Sequence, residues 1–465
     1  MAVEHPYKIE VNVVDKVQAI DVRELINNRP VGAYQKWVVF LGFLIIALDG
    51  FDVAIMGFIA PQLKMDWGLS HQDLGPVLSA ALIGLALGAL VAGPLADRYG
   101  RKIVLVVSVF FFGLWTLATA FSPDLTSMVI LRFLTGLGLG AAMPNACTLV
   151  SEFAPDRKRS FMITLAFCGF SFGAAAGGFV SAWMIPNFGW HSMLVLGGVA
   201  PLLVAPLLFF KLPESVTFLV IKQAPQAHIR RIVDKLAPGV ASASSTFCLP
   251  KVAIVNASAP QIVLSAQYRF STLMLWSGYF LGLFLVYLFS SWLPTLVKEG
   301  GGYSVADAAI VTAMFQIGGP VGSLVLGWAM DRWSKYGVLI VNYLAGGLVI
   351  FAIGQTMQHF ALMCAAAWMA GFCFNGGSVG QNALAASIYP TEARATGASW
   401  MSGVGRFGAI LSAFAGAQML SLGWSFAQVF SVLAIPALLT ALTTYAQGRR
   451  AAALARPGAV RLSPL

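Results

Sequence analysis

Charged residues are scarce in this chain. Of its 465 residues only 10% are Asp, Glu, Lys or Arg, whereas 58% are hydrophobic and the mean hydropathy is +0.78. Soluble domains carry about 25% charged residues. The composition therefore excludes the water-soluble classes and predicts a membrane protein.

Cysteine and histidine are also rare, with five of each. The cysteines form no CxxC pair and no cluster with histidine, so the sequence predicts neither disulfides nor a metal site. There is no nucleophile–base pair and no phosphate-binding loop. The glycine run Gly136–Gly140 follows no β-strand and fails the context test for dinucleotide binding. We expect no enzyme activity and no cofactor.

Long apolar runs, by contrast, are abundant. Each is about 20 residues long, which is the length of a transmembrane helix and too long for a barrel strand. The predicted spans are 37–60, 74–96, 103–122, 126–150, 161–184, 191–211, 271–294, 306–330, 338–356, 361–387, 396–420 and 425–446. The expected fold is an all-α membrane protein with twelve transmembrane helices.

The basic residues are distributed by membrane topology and do not indicate nucleic-acid binding. Of 29 Lys and Arg, Arg132 and Arg406 fall within spans, and Lys64 and Lys298 fall in loops on one side. The other 25 fall in the termini and in alternate loops. This is the positive-inside pattern, and it places both termini in the cytoplasm.

The chain consists of two similar halves. Gly93-Pro-Leu-Ala-Asp97-Arg98 follows span two, and Gly327-Trp-Ala-Met-Asp331-Arg332 follows span eight, 234 positions later. Pro155 after span four and Pro390 after span ten are 235 positions apart. The two motifs recur at nearly the same separation along the chain, which predicts a duplicated six-helix unit, as in transporters that bind substrate at the repeat interface. The predicted parts are a cytoplasmic segment 1–36, bundles 37–211 and 271–446, a linker 212–270 with a short amphipathic helix near 224–236, and a tail 447–465.

Two acids lie in the middle of the first span. Asp49 and Asp52 are three residues apart and therefore share one face of a helix. A carboxylate at this depth costs about 2.5–3.5 kcal/mol, so such residues mark functional sites by default. The pair is typical of a proton-carrying site in a transporter. A purely structural pair, neutralised by a partner cation, is the alternative.

Two arginines also lie inside the bilayer. Arg132 in span four either pairs with Asp49 or Asp52 or offers its guanidinium to a substrate carboxylate. Arg406 is about ten residues into its span, too deep to snorkel easily, and we expect a role in anion binding or gating. Glu152, at the cytoplasmic end of span four, is either a coupling residue or part of a gate ion pair.

The repeated loop motif predicts a gate on the cytoplasmic side. Gly93 permits close helix contact, Asp97 can interact with a neighbouring helix end, and Arg98 and Arg101 hold the loop at the anionic leaflet. A generic basic loop is the alternative.

Gly136 and Gly140 predict close helix packing of the small-xxx-small type. Aromatic residues that are candidates for lining a pocket, or alternatively for facing lipid, are Tyr279, Phe280, Phe284, Tyr287, Trp292, Phe372 and Phe374.

On these motifs the chain resembles the aromatic acid:proton symporter family of the major facilitator superfamily, most closely its transporters of 4-hydroxybenzoate and protocatechuate. The resemblance extends from about residue 20 to residue 446. The segments that carry it are 48–61, 93–102, 131–145, 189–192, 292–295, 327–332, 394–397 and 406–410.

The resemblance implies roles for individual residues. The family's required Asp-Gly-x-Asp motif maps onto Asp49 and Asp52. Glu152 is expected to assist proton coupling. The expected substrate-binding residues are Arg132, Arg406, Asn145 and Phe51, and the expected gating residues are Gly93, Asp97, Arg98, Arg101, Asp331, Arg332 and Arg394. The chain departs from the family at Thr217, where an arginine is usual.

The implied function is proton-coupled import of a small aromatic carboxylate by a monomer in a bacterial inner membrane. Its partners would be the acid, protons and the lipid bilayer. Other facilitator substrates remain as alternatives: a sugar, a dicarboxylate, or a drug exchanged for protons. A ligand sensor with little flux is an alternative of a different class.

Overall fold

The computed structural model describes residues 19–240, 245–248, 259–356, 358–389 and 391–454. Most of these residues are helical. The first part of the predicted N-terminal segment, part of the linker and the end of the predicted tail lie outside the described residues.

Twelve long helices occupy the twelve predicted spans within the described residues. They are α2 (Ala33–Trp67), α3 (His71–Tyr99), α4 (Arg101–Thr119), α5 (Leu125–Phe153), α6 (Arg159–Phe188), α7 (His191–Lys211), α11 (Arg269–Gly301), α12 (Val305–Arg332), α13 (Lys335–Gln355), α14 (Phe360–Ile388), α15 (Thr391–Ser421) and α16 (Phe426–Leu454). Eleven are long and apolar enough to span a membrane. The twelfth, α15, is less apolar because it is rich in Gly, Ala and Ser and contains Arg406.

Several helices extend beyond the predicted spans. The sequence places Lys64 and Lys298 in loops, but this is wrong: they lie in the last turns of α2 and α11. A helix of 35 residues is about 50 Å long, whereas the hydrocarbon core is about 30 Å thick, so its ends project past the apolar run.

Short elements lie before and between these long helices. They are β1 (Ala19–Asp21), α1 (Val22–Asn27), α8 (Val216–Ile221), α9 (Gln226–Leu236), β2 (Thr246–Cys248) and α10 (Ala259–Val263). Helix α9 lies where the sequence predicts an amphipathic helix. The strands were not predicted; β1 pairs with β2 in parallel, with Ile20 opposite Phe247, and joins the N-terminal segment to the linker.

The helix packing repeats between the two halves. In the N half (α2–α7), α2 packs on α6, α3 on α5, and α4 on α7. In the C half (α11–α16), the equivalent helices pack in the same way: α11 on α15, α12 on α14, and α13 on α16. This correspondence agrees with the duplication predicted from the loop signatures.

Glycines allow the closest helix contacts. A Cβ placed on Gly136 would lie 2.1 Å from the backbone oxygen of Ala81, and one on Gly140 would lie 2.2 Å from that of Leu85. These two glycines therefore set the separation of α5 and α3, as the small-xxx-small spacing predicts.

The two ends of the bundle differ. We call the end that carries Ala33 and Arg269 the terminal face, and the end that carries Trp67 and Gly301 the distal face. Near the distal face the halves meet closely: a Cβ on Gly57 of α2 would lie 2.3 Å from the backbone oxygen of Ser290 in α11. Towards the terminal face, a Cβ on Gly93 of α3 or Gly327 of α12 would meet no atom of the described residues within 4 Å. The close contact predicted for Gly93 is thus absent here, because the helices around it are apart.

The packing makes one prediction about stability. Gly136→Ala places a methyl group against backbone that cannot rotate away, and overpacking of this kind typically costs about 1–3 kcal/mol. We expect the melting temperature of the purified protein in detergent to fall by several degrees. Gly327→Ala is the matched control, because open space surrounds that position. Equal melting temperatures for the two variants would contradict this account of α3 and α5.

Candidate functional site

The two central acids have different surroundings. Asp52 accepts hydrogen bonds from Arg132, with Nη2 2.9 Å from Oδ2 and Nη1 3.2 Å from Oδ1, and from the Thr116 hydroxyl at 2.5 Å. The side chains of Asp52 and Arg132 are fully buried. Of the alternatives left open by the sequence, Arg132 therefore pairs with Asp52. Thr116 was not predicted, since a threonine in an apolar helix carries no distinguishing signal.

Asp49 lies one turn along α2 and is also buried. Neither of its carboxylate oxygens has a hydrogen-bond partner among the described residues. The charges that act on it are those of Asp52 and of Arg406, which belongs to the C half. Asp49 is thus a buried acid without a hydrogen-bond donor, next to a paired one.

Arg406 connects the two halves. It is half-buried on α15, and its Nη1 donates to the backbone oxygen of Leu85 in α3 at 2.8 Å. The Tyr279 ring packs against the neighbouring Gly405, and its hydroxyl accepts from Asn382 Nδ2 at 3.2 Å. Tyr287 lies near enough to interact electrostatically with both Asp49 and Arg406. We call Asp49, Arg406, Tyr279, Tyr287 and Asn382 the central cluster.

Only part of the predicted aromatic set belongs to this cluster. Tyr279 and Tyr287 do, whereas Trp292 and Phe374 are fully buried in the C half. Trp292 donates to the backbone oxygen of Ala413, and Phe374 packs on Phe289. Their function is therefore packing.

Three other predicted site residues lie outside the central cluster. Glu152 follows Arg132 by twenty positions on α5, which corresponds to about 30 Å, and it pairs with Arg101 at 3.5 Å. The Phe51 ring packs against Gly177 and Gly197 of the N half. Asn145 donates to the backbone oxygen of Ala141 in its own helix. Helical spacing along the sequence did not reveal these orientations.

The predicted gating residues differ in their surroundings. Arg101 bridges Asp97, at 2.9 Å, and Glu152. Glu214, which the sequence did not single out, accepts from the backbone N–H groups of Arg101 and Lys102 and so caps the start of α4. Arg98 lies over the ring of Tyr99. The remaining predicted gating residues with charged side chains are exposed; they are Asp331, Arg332 and Arg394.

No group of three or more His, Cys, Asp or Glu side chains converges within the part of the chain that the structure describes. The chemistry of the central cluster is instead that of one unpaired acid, one cation with free donors, and aromatic walls. Such a cluster can bind an organic anion and a proton.

Comparison with known proteins agrees with this architecture. Residues 42–354 and 275–462 match the family model described as the Major Facilitator Superfamily. The 4-hydroxybenzoate transporter PcaK of Pseudomonas aeruginosa is 48% identical over 433 residues, covering 93% of this chain and 96% of that protein. A gallate transporter of Pseudomonas putida is 48% identical over 92% of this chain and 95% of its own length.

The fold is also found among solved structures. The partially occluded inward open conformation of the xylose transporter XylE from E. coli superposes with a TM-score of 0.70, at 16% identity, over 89% of this chain and 98% of that chain. The motifs, the helix order and the family match thus agree, and the chain belongs to the Major Facilitator Superfamily.

Proposed function

We propose that the protein is a proton-coupled symporter that imports a small aromatic carboxylate. The observation that carries the proposal is the central cluster, in which the unpartnered Asp49 of one half lies near Arg406 of the other. The two relatives at 48% identity, transporters of 4-hydroxybenzoate and of gallate, support an aromatic acid as substrate.

Arg406 is the proposed anion site. Its guanidinium donates one hydrogen bond to the backbone oxygen of Leu85, and its other donors can bind a carboxylate. Arginine binds carboxylates with two parallel hydrogen bonds. Arg132 is less suitable because Asp52 already neutralises it. Tyr279 and Tyr287 lie beside Arg406 and supply surfaces for an aromatic ring.

Asp49 is the proposed proton site. A buried carboxylate without a donor or a paired cation is costly when charged, and protonation removes that cost. Asp52 differs, since its charge is compensated by Arg132 and by the Thr116 hydroxyl. In this proposal Asp49 binds the transported proton and Asp52 stays ionised.

Coupling follows from charge compensation. In the loaded protein, Asp49 is neutral and the substrate carboxylate is paired with Arg406. In the empty protein, the two side chains can compensate each other. With only one of proton and substrate bound, an uncompensated charge remains in the closed interior, which disfavours the movement of one half past the other.

The orientation also belongs to the proposal. The terminal face carries the basic loops after α3 and α5, and the positive-inside rule places such loops in the cytoplasm. Substrate and proton would then enter from the distal face. The protein would be a multi-pass monomer of the bacterial inner membrane.

Transport in proteoliposomes tests the function directly. We expect radiolabelled 4-hydroxybenzoate or gallate to accumulate when the pH outside is lower than inside, and to equilibrate without accumulation when the gradient is collapsed. Accumulation that ignores the gradient would contradict symport. Absence of any flux, including exchange, with a panel of aromatic acids would contradict transport of this substrate class.

The role of Asp49 is tested by Asp49→Asn, which keeps the shape of the side chain but cannot release a proton. We expect proton-driven accumulation to be lost while exchange of labelled for unlabelled acid continues. Asp66→Asn is the control, because Asp66 is exposed and bonds Gln62 of its own helix. An Asp49→Asn protein that accumulates substrate like the wild type would refute the assignment.

The role of Asp52 is tested by stability. Asp52→Asn leaves the Arg132 charge buried without a counter-charge, and breaking a buried pair in this way costs about 3–5 kcal/mol. We expect a clearly lower melting temperature in detergent, and partial recovery when Arg132→Gln removes the second charge. A single variant as stable as the double variant would contradict the ion pair.

A further inference from the structure

A second charged cluster joins the halves at the distal face, far from the central cluster. Lys64 at the end of α2 and His71 at the start of α3 belong to the N half, and Glu299 at the end of α11 belongs to the C half. Lys64 Nζ lies 2.7 Å from Glu299 Oε1, and His71 Nε2 lies 2.6 Å from Glu299 Oε2. Each carboxylate oxygen therefore has its own partner from the opposite half.

The local sequence explains how the two N-half residues come together. Gly68 adopts a left-handed conformation with φ of 62°, which ends α2, and the side chain of Ser70 caps the start of α3. The tight turn brings the last turn of α2 next to the first turn of α3. Glu299 approaches from α11, which ends at Gly302 in the same left-handed conformation.

The cluster is partly exposed to solvent, most of all at Glu299. The side chains of Lys64, His71 and Glu299 are 19%, 23% and 32% exposed. Partial burial weakens screening by water and salt, so these contacts are stronger than ordinary surface ion pairs. About 10 Å closer to the centre on α2, the close approach of Gly57 to Ser290 continues the same seam between the halves.

The opposite end has no equivalent seam among the described residues. The ion pairs found there at the terminal face are Arg23–Asp156, Arg159–Asp156, Arg101–Asp97 and Arg101–Glu152, and all of these residues belong to the N half or to the segment before it. Gly93 and Gly327 face open space there. Ionic contact between the halves is thus concentrated at the distal end in this conformation.

We propose that Lys64, His71 and Glu299 form a distal lock, which holds the protein in the conformation closed at the distal face and must break in every transport cycle. The inference rests on the proposed transport by alternating access. The lock acts on the balance between two conformations, since none of its residues touches the central cluster. Removing the Glu299 charge takes away the shared acceptor and therefore favours opening at the distal face.

The test measures conformation directly and needs no substrate. The five native cysteines are replaced, and spin labels are attached at Phe121→Cys and Leu422→Cys, two exposed positions at the distal ends of the N and C halves. A second pair, Tyr99→Cys and Trp333→Cys, reports on the terminal face. Distances are measured by double electron–electron resonance in lipid nanodiscs.

We expect E299Q to raise the population with a long distal distance at least several-fold and to shorten the terminal distance. K64E should act in the same direction, and the charge-swapped K64E/E299K should return the distances towards those of the wild type. D66N is the control, because it removes one acid from the same end, and the hydrogen bond of Asp66 lies within α2.

Unchanged distances in E299Q, or equal shifts in E299Q and D66N, would overturn the lock. A double variant that stays open would overturn the pairing of Lys64 with Glu299. The outcome is independent of the proposed substrate: the distances can shift as expected even if no aromatic acid is transported, and uptake can be proton-driven even if the distances do not shift.

Discussion

The structure depends on one constraint: a charge inside a membrane protein needs a partner within the protein. The Asp52–Arg132 pair satisfies it, with two guanidinium hydrogen bonds to the carboxylate and a third from the Thr116 hydroxyl. The pair ties α2 to α5, and Thr116 adds α4. Three helices of the N half are thereby held around a compensated charge, which leaves Asp49 in a defined position one turn away.

In contrast to this pair, the central cluster contains charged groups that are not fully paired within the protein. Among the described residues, Asp49 has no hydrogen-bond donor and Arg406 uses only one of its donors. The two residues belong to different halves, and in the proposed mechanism the compensation of their charges determines how the halves can move. A site with this arrangement links binding to conformation through electrostatics, and it requires no rearrangement of covalent structure.

The distal lock and the terminal ion pairs join different parts of the molecule. Contacts through Glu299 cross between the halves, whereas the network around Arg101 stays within the N half. Rigid halves with exchangeable contacts between them are what alternating access requires, because packed interiors do not deform continuously.

The sequence by itself determined the class of protein, the twelve helices, the duplication and the residues that carry charge into the membrane. These follow from composition, from the length of apolar runs and from repeated motifs, all of which are local properties. It did not determine that Arg132 pairs with Asp52 and not with Asp49, that Glu152 pairs with Arg101, or that Lys64, His71 and Glu299 meet. Those depend on the rotation and separation of helices far apart in the chain, which only packing in three dimensions decides.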